Sequence, residues 1–330
     1  MRHLARRTLA GLVLLGLSTA AAADQFSDAR QWLERMAEAM DNLSYQGTFV
    51  VMRGQDVETL RLTRIVDGDA VQERLVALSG PHRELIRDAQ GTQAVMAAGD
   101  DLAGRTATSP SAFPSLPTEA LEQARGRYLF EVGKLARIAG HKGRKVSILP
   151  KDEFRYGYDF WIEPETGLLL RWVLYDASRR PLAKLMFTDL VTGEAVDASE
   201  LKTETPAGDF VPLATATDAD QGPPSEAPGW QRIKLPPGFQ LEASHRQGSG
   251  DGDEFEHLLI SDGLVSVSVY IESSDAAREL GEGLSRLGTT HAWSRRAGDR
   301  QVTAIGEVPA VTVRLISKAF ARPLGGNGGR

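Results

Sequence analysis

The segment ALSGPHRELIRD places three side chains that could do acid–base chemistry next to one another: His82, Arg83 and Glu84. They directly follow a Gly80-Pro81 turn and precede an apolar pair. On an extended chain, successive side chains project to opposite faces, so His82 and Glu84 share one face and Arg83 takes the other. The three groups cannot easily act together on one substrate atom. We therefore predict an ordinary corner between two strands here.

A second cluster, GDGDEFEH, combines Asp251, Asp253, Glu254, Glu256 and His257 with glycines. Such ligands could hold calcium loosely, but the spacing lacks the terminal bidentate glutamate of a calcium-binding loop. We interpret the cluster as a solvated hairpin loop. The sequence predicts no metal site and no cofactor.

Other candidate catalytic groups also have ordinary structural explanations. Ser266 and Ser268 lie in the middle of a predicted strand, without an elbow turn or a base nearby. Several carboxylates lie near aromatic residues, as glycosidase acids often do, but they fall in turns or on the polar sides of strands. These are Asp152, Glu153, Asp159, Glu163 and Glu165. We therefore predict a protein that is not an enzyme.

The elements that would position these groups are mainly strands. YGYDFWI and LLLRWVLYD alternate around the turn EPETG, and a period of two places alternate side chains on opposite sheet faces. One clear helix is predicted in SDARQWLERMAEAMDNL, with Ser27 or Asp28 as N-cap. Its apolar stripe contains Trp32, Leu33, Met36, Ala37 and Met40. A weaker helix is TEALEQAR, with Thr118 as N-cap.

Few helices beside many strands predict an α+β fold with a large antiparallel sheet. One face of this sheet is apolar and aromatic over several strands. Two helices are few for so broad a face, which leaves room for a cavity or groove, whereas a filled core fits the same pattern. Both interpretations remain open from the residues alone.

The N-terminus predicts secretion. Residues 1–23 combine a basic head, a short apolar run and an Ala21-Ala22-Ala23 cleavage site, and the run is too short to span a bilayer. We predict cleavage after Ala23. The whole chain has a net charge of −6, and loss of three signal arginines makes the mature chain −9. This acidity argues against nucleic acid as a partner, and the absence of cysteine excludes disulfides and thiolate chemistry.

Composition divides the mature chain into two domains. We predict a first domain at residues 24–208 and a linker at 209–229 that is rich in Ala, Thr, Asp and Pro. A smaller α+β domain follows at 230–323, and GGNGGR at 324–330 is a flexible tail. In the smaller domain, SVSVYI alternates as a strand with one apolar face.

Six segments that span both domains resemble the MucB/RseB family. In chain order they are LSYQGTFVVMRG, ALSGPHRELIRD, DFWIEPETGLLLRWVLYD, SDGLVSVSVYIES, RLGTTHAWSR and VTAIGEVPAVTVR. The resemblance implies a periplasmic negative regulator of a sigma-E (AlgU-type) envelope-stress response. It implies a first domain similar to LolA and LolB, with a curved half-barrel sheet, and a second domain that helps bind an anti-sigma factor.

The implied partners are a protein and a lipid. The protein is the periplasmic segment of a membrane-spanning anti-sigma factor (RseA/MucA-like), which binding shields from its first proteolytic cut. Lipopolysaccharide or another acylated envelope lipid is expected to release it. We predict that the acyl chain lies against the apolar face around Phe49, Phe160, Leu170, Trp172 and Phe187. The alternative function is a LolA-like periplasmic carrier of lipoproteins or other acylated molecules.

Overall fold

The structure is a computed structural model of the 330-residue chain. It describes residues 25–95, 113, 116, 121–203, 205–206, 210–212, 233–248, 254–273 and 281–320. The described residues form two antiparallel sheets of eleven and six strands, with few helices. This confirms the predicted α+β class.

The large sheet has the strand order β11-β5-β4-β3-β2-β1-β10-β9-β8-β7-β6, so β11 and β6 are its edges. Most neighbours in this order are also consecutive in the chain, because short turns join antiparallel strands. The strands are β1 Tyr45–Arg53, β2 Asp56–Asp67, β3 Ala70–Ala77, β4 Glu84–Asp88, β5 Gly91–Val95, β6 Tyr128–Ile138, β7 His141–Pro150, β8 Gly157–Ile162, β9 Leu169–Tyr175, β10 Pro181–Thr192 and β11 Val211–Pro212. Two 3-10 helices, Gly193–Ala195 and Ala198–Leu201, follow β10.

Strand β11 lies within the linker predicted from composition. Val211 pairs with Ala94, and Pro212 pairs with Gln93, so these two residues extend the large sheet beyond β5. Residues 209 and 213–229 of that linker lie outside the described residues.

The small sheet has the order β12-β13-β14-β17-β16-β15. Its strands are β12 Gln240–Gly248, β13 Glu254–Ser261, β14 Ser266–Ser273, β15 Gly283–Leu287, β16 Thr290–Ala297 and β17 Arg300–Gly306. A helix at Ala310–Ala319, here called α3, buries Val313 and Ile316 in the same apolar cluster as Val267 and Val269. The small α+β domain is thereby confirmed.

The first helix, α1, occupies residues 25–42. Its buried residues recur every three or four positions: Phe26, Ala29, Leu33, Met36 and Ala39. The predicted N-cap is wrong, because the helix already includes residues 25 and 26 and the ring of Phe26 packs edge-on against Phe130 at 5.0 Å. The second helix, α2, is the short Leu121–Ala124, and Thr118, its predicted N-cap, lies outside the described residues.

Helix α1 also closely approaches the turn between β8 and β9. Gly167 in that turn has a φ of +87°, and a Cβ there would lie 2.9 Å from the backbone oxygen of Arg35. Glycine is therefore required by both the backbone conformation and the contact. No helix within the described ranges is long and apolar enough to cross a membrane.

Cross-strand pairing defines the two faces of the large sheet. Phe160 pairs with Trp172, Trp172 pairs with Leu185, and Phe49 pairs with Phe187. These residues lie on one face of the sheet, which also contacts Phe26 of α1. We call it the inner face. The opposite, outer face carries Trp161, Arg171 and Met186, which are likewise paired across β8, β9 and β10.

Candidate functional site

Three phenylalanines form an aromatic cluster on the inner face. Phe49 on β1 and Phe187 on β10 have ring centroids 5.3 Å apart and are almost fully buried. Phe113, from the chain between β5 and α2, lies 5.6 Å from Phe49 and stacks on Phe187 at 6.0 Å. The contact with Phe113 therefore covers part of the surface on which the sequence analysis places an acyl chain.

Phe160 and Trp172 continue this apolar surface across β8 and β9. Phe160 is fully buried, and its ring stacks parallel to that of Tyr158 at 5.7 Å. Trp172 is 7% exposed and lies between Phe160 and Leu185 in the sheet. Four of the five predicted lipid-contacting residues thus share the inner face, while acyl binding itself stays a prediction.

Leu170 is the exception among the five. The pairing of β8 with β9 shifts by one residue at this position: Trp161 pairs with Arg171, whereas Ile162 pairs with Leu169. A β-bulge leaves its extra residue unpaired and changes the direction of its side chain. A Cβ built on Gly143 would contact Leu170 beside Trp161, which places Leu170 on the outer side. The strict alternation predicted for β9 is therefore wrong at Leu170.

Strand β8 is buried on both faces, including the side that the sequence predicts to be polar. On the outer face, Asp159 is ion-paired with Lys145 at 3.0 Å and accepts a hydrogen bond from Ser147 at 2.6 Å. Trp161 packs against the cations of Lys145 and Arg171. Long basic side chains thus cover the outer face of β8, and Asp159 serves a structural ion pair.

Two open clefts border strand β6 on the outer face. One, of about 400 Å³, is lined by Leu129, Lys145 and Ser147, and the other, of about 480 Å³, by Leu129, Leu149 and Tyr175. Both are lined by mixed polar and apolar side chains. The aromatic cluster of the inner face lies on the other side of the sheet from them.

The corner at His82-Arg83-Glu84 joins β3 to β4, as predicted. Glu84 is buried, forms an ion pair with Arg74 at 2.5 Å and accepts a hydrogen bond from Thr205 at 2.7 Å. Burial acts to raise the pKa of Glu84, but hydrogen bonds from Arg74, Thr205 and Thr203 outweigh it and keep the pKa below its usual value. Arg83 instead pairs with Glu58. These contacts stabilise the sheet.

Among the residues that the structure describes, no group of three or more His, Asp or Glu side chains is arranged to hold a metal ion. Asp251 and Asp253 of the acidic glycine loop lie outside the described ranges. Glu254, Glu256 and His257 lie in β13, which forms a hairpin with β12, so the predicted hairpin is present, but Glu256 is 5% exposed and the prediction that it is solvated is wrong.

The contact between the two domains centres on Arg155, which is 0% exposed. Its Nε lies 2.8 Å from Oδ2 of Asp262 in the small domain, and its Nη1 lies 2.6 Å from Asp152. Its Nη2 donates to the backbone oxygen of Pro237 at 2.7 Å. Each guanidinium nitrogen thus lies within 2.8 Å of an oxygen, although the contact of Nε with Asp262 lacks hydrogen-bond geometry and is an ion pair.

Aromatic rings enclose this ion pair. The guanidinium lies 5.5 Å from the ring of Tyr128 and 5.0 Å from that of Phe239, and the Tyr128 hydroxyl donates to Asp262 at 2.9 Å. We call Tyr128, Arg155, Pro237, Phe239 and Asp262 the interdomain junction. Sequence reasoning missed it, because KDEFRYG carries four charged residues and is typical of an exposed turn.

Further contacts extend the interdomain junction along the same segment. The hydroxyl of Thr312 in α3 donates to the backbone oxygen of Phe154 at 2.7 Å. The hydroxyl of Tyr156 lies 3.2 Å from Nδ1 of His291 on β16. Residues 152–156 of the first domain are thus held by several elements of the second.

Glu307, which follows β17, is expected to make stability depend on pH. Burial raises its pKa above the ordinary 4.5, although a hydrogen bond from Thr289 and the charge of Arg53 act in the opposite direction. The protonated carboxyl of Glu307 stabilises the folded state, and this stabilisation is complete below pH 4.5. It is lost as the pH rises through the raised pKa that Glu307 has in the folded state. Glu307→Gln should therefore be more stable than the parent at pH 7 and equally stable below pH 4.5. Thermal unfolding at a series of pH values measures this.

The matched control is Glu38→Gln, because Glu38 is exposed on α1. This variant should follow the parent at every pH. A Glu307→Gln variant that is less stable than the parent at pH 7 would show that the charged carboxylate is favoured in the folded state.

Comparison with known proteins covers both domains. The MucB/RseB N-terminal domain matches residues 28–205, and the MucB/RseB C-terminal domain matches residues 224–321. The sigma factor AlgU regulatory protein MucB of Pseudomonas aeruginosa is 33% identical over 317 residues, which cover 94% of this chain and 96% of MucB. The sigma-E factor regulatory protein RseB of Haemophilus influenzae is 27% identical over 301 residues, which cover 91% of this chain and 93% of RseB.

A solved structure agrees with this assignment. The complex of MucA and MucB from Pseudomonas aeruginosa contains a chain with a TM-score of 0.67 and 30% identity to this one, covering 90% of this chain and 99% of that chain. The similarity therefore extends over both domains. By both domain matches and this end-to-end similarity, the chain belongs to the MucB/RseB family.

Proposed function

We propose that this chain is a periplasmic negative regulator of a sigma-E-type envelope-stress response. In this role it binds the periplasmic segment of a membrane-spanning anti-sigma factor and shields that segment from its first proteolytic cut. The observation that carries the proposal is the similarity, over both domains, to a MucB chain solved in complex with the periplasmic part of MucA. A match confined to one domain would not support a shared binding mode.

An acylated envelope lipid, such as lipopolysaccharide, is the proposed release signal. The aromatic cluster of Phe49, Phe113 and Phe187 supports this, because it makes this part of the inner face apolar. If lipid and anti-sigma segment favour different arrangements of the protein, each weakens binding of the other by the same factor.

The second candidate is a periplasmic carrier of acylated molecules. The apolar inner face favours it as strongly as it favours a lipid-sensing regulator. A carrier would need only the first domain, whereas the interdomain junction buries charged groups from both domains. That extensive contact favours the regulator, in which both domains act as one binding unit.

Binding of the purified mature chain, residues 24–330, to the anti-sigma periplasmic segment tests the proposal. We expect a complex whose dissociation constant rises as lipopolysaccharide is added, by the same factor by which the segment weakens lipid binding. Titration of each ligand in the presence of the other measures both factors. Unequal factors would contradict a single linked equilibrium.

Two other outcomes separate the candidate functions. Segment binding that lipid does not change would retain the regulator and reject lipid as its signal. Lipid binding without segment binding would instead favour the carrier. Mass measurement of the exported protein tests the proposed cleavage after Ala23.

A further inference from the structure

The hairpin of β6 and β7 concentrates positive charge at one edge of the large sheet. Residues 132–150 contain no Asp or Glu, whereas the chain as a whole has a net charge of −6. The same residues include five cationic side chains, Lys134, Arg137, Lys142, Arg144 and Lys145. A basic surface on an acidic protein is a site for an anionic partner.

The structure gives polar partners to two of these five cations. Lys145 is ion-paired with Asp159 at 3.0 Å, and Nη1 of Arg144 donates to the backbone oxygen of Gly133 at 3.0 Å. The other three are exposed and form no ion pair within the part of the chain that the structure describes. They are Lys134, Arg137 and Lys142. Their charges are therefore available to a ligand.

Two of the exposed cations lie directly opposite each other. Arg137 pairs with Lys142 across the hairpin, and Leu135 pairs with Arg144 on the same face. The turn Ala139-Gly140 has φ values of +49° and +87°, as in a tight two-residue turn that holds the strands together. Like charges directly opposite each other destabilise a strand pair, and a bound anion would relieve their repulsion. We call Leu135, Arg137, Lys142 and Arg144 the basic tip.

The basic tip also exposes an apolar side chain. Leu135 is 48% exposed between the cations. Strand β7 pairs with β8 from Arg144 to Ile148, whereas residues 141–143 pair with β6 beyond the end of β8. The end of the hairpin therefore extends past its neighbour in the sheet. Cations around an exposed leucine suit an anionic bilayer, where the cations contact phosphates and the leucine enters the boundary with the acyl chains.

We propose that the basic tip docks the protein on the surface of an anionic phospholipid bilayer. The inference goes beyond the proposed regulatory function and takes from it only the periplasmic location. It also differs from the proposed acyl site, because the contact is with head groups and the tip lies at the edge of the sheet. A membrane-spanning partner presents its periplasmic segment at such a surface, so docking would raise the effective concentration of the regulator there.

The two clefts that border β6 favour a bilayer over an acidic peptide as the occupant. None of the four residues of the basic tip lines either cleft. A broad anionic surface needs no cleft, whereas an extended peptide is usually held in a groove or along a sheet edge. The observations therefore favour a lipid surface.

Cosedimentation of residues 24–330 with phospholipid vesicles tests the inference. One set of vesicles contains equal parts of phosphatidylglycerol and phosphatidylcholine, and the other contains phosphatidylcholine alone. We expect binding to the anionic vesicles to be at least about tenfold tighter than to the neutral ones. Added sodium chloride should weaken this binding progressively, because salt screens exposed charges.

The double variant Arg137→Gln with Lys142→Gln should weaken binding to the anionic vesicles about 30-fold, since each cation near such a surface contributes about a fivefold factor. The same variant should be at least as resistant to urea as the parent, because a like-charge pair is removed. The matched control is Arg314→Gln with Lys318→Gln on α3, which removes two exposed cations and changes the net charge equally. This control should bind the vesicles as the parent does.

Three outcomes would overturn the inference. They are equal binding of the parent to both kinds of vesicle, equal binding of the anionic vesicles by the parent and the Arg137→Gln/Lys142→Gln variant, and capture of poly-L-glutamate without binding to vesicles. The last would assign the basic tip to an acidic protein segment. The assay contains neither the anti-sigma segment nor lipopolysaccharide. Vesicle binding by a chain that fails to bind the segment would therefore support the inference and overturn the proposed function.

Discussion

Replacing Arg155 with methionine is expected to lower the free energy of unfolding by about 3–5 kcal/mol, because it breaks a buried ion pair by removing one partner. Methionine removes the contacts to Asp262, Asp152 and the backbone of Pro237 and leaves Asp262 buried without its cation. Urea unfolding monitored by circular dichroism measures the loss.

The control for this variant is Arg180→Met. Arg180 forms an ion pair with Asp176 at 2.8 Å, but its side chain is 79% exposed, so the expected change is below about 0.5 kcal/mol. The double variant Arg155→Met with Asp262→Leu should recover part of the loss, because no uncompensated charge remains buried. Equal losses for Arg155→Met and Arg180→Met would show that the interdomain junction contributes little stability.

Replacing Phe187 with alanine is expected to cost about 3–5 kcal/mol and to weaken acyl binding at least tenfold. Phe187 is 1% exposed and contacts Phe49 and Phe113, so the substitution leaves a cavity within the aromatic cluster. The same surface would contact the acyl chain. Urea unfolding and displacement of the dye N-phenyl-1-naphthylamine by monomyristoylglycerol give the two quantities.

Met186→Ala is the matched control, since Met186 is the preceding residue of β10 and is 41% exposed on the outer face. Its stability should change by less than about 0.5 kcal/mol and its lipid affinity should be unchanged. Loss of lipid binding in Met186→Ala, with binding retained in Phe187→Ala, would place the acyl chain on the outer face instead.

Periodicity predicted the inner face well where strands pair regularly. Phe160 and Trp172 alternate as predicted, because a period of two directly reflects strand geometry. Leu170 does not, since one unpaired residue in β9 changes the direction of its side chain, and no residue type near it indicates a bulge. Alternation also does not show that Trp161 and Asp159 are covered by cations from neighbouring strands.

The interdomain junction could not be predicted from local sequence. Arg155 stands in a polar segment, KDEFRYG, that is typical of an exposed turn. Its burial depends on Asp262 and Phe239, which are distant in the chain and belong to another domain. The local sequence pattern contains no information about such a pairing. The corner before Glu84 was predictable, because the adjacent Gly80-Pro81 turn produces it.

The interdomain junction also has a consequence for the order of folding. A chain is synthesised from its N-terminus, so Arg155 leaves the ribosome well before Asp262. Until then the Arg155 guanidinium lacks Asp262, and Asp152 is the carboxylate of the first domain that contacts it. Completion of the first domain therefore waits for the second. A chain truncated before β13 lacks Asp262 and leaves the Arg155 guanidinium without it, so we expect such a fragment to be more sensitive to proteolysis than the full chain.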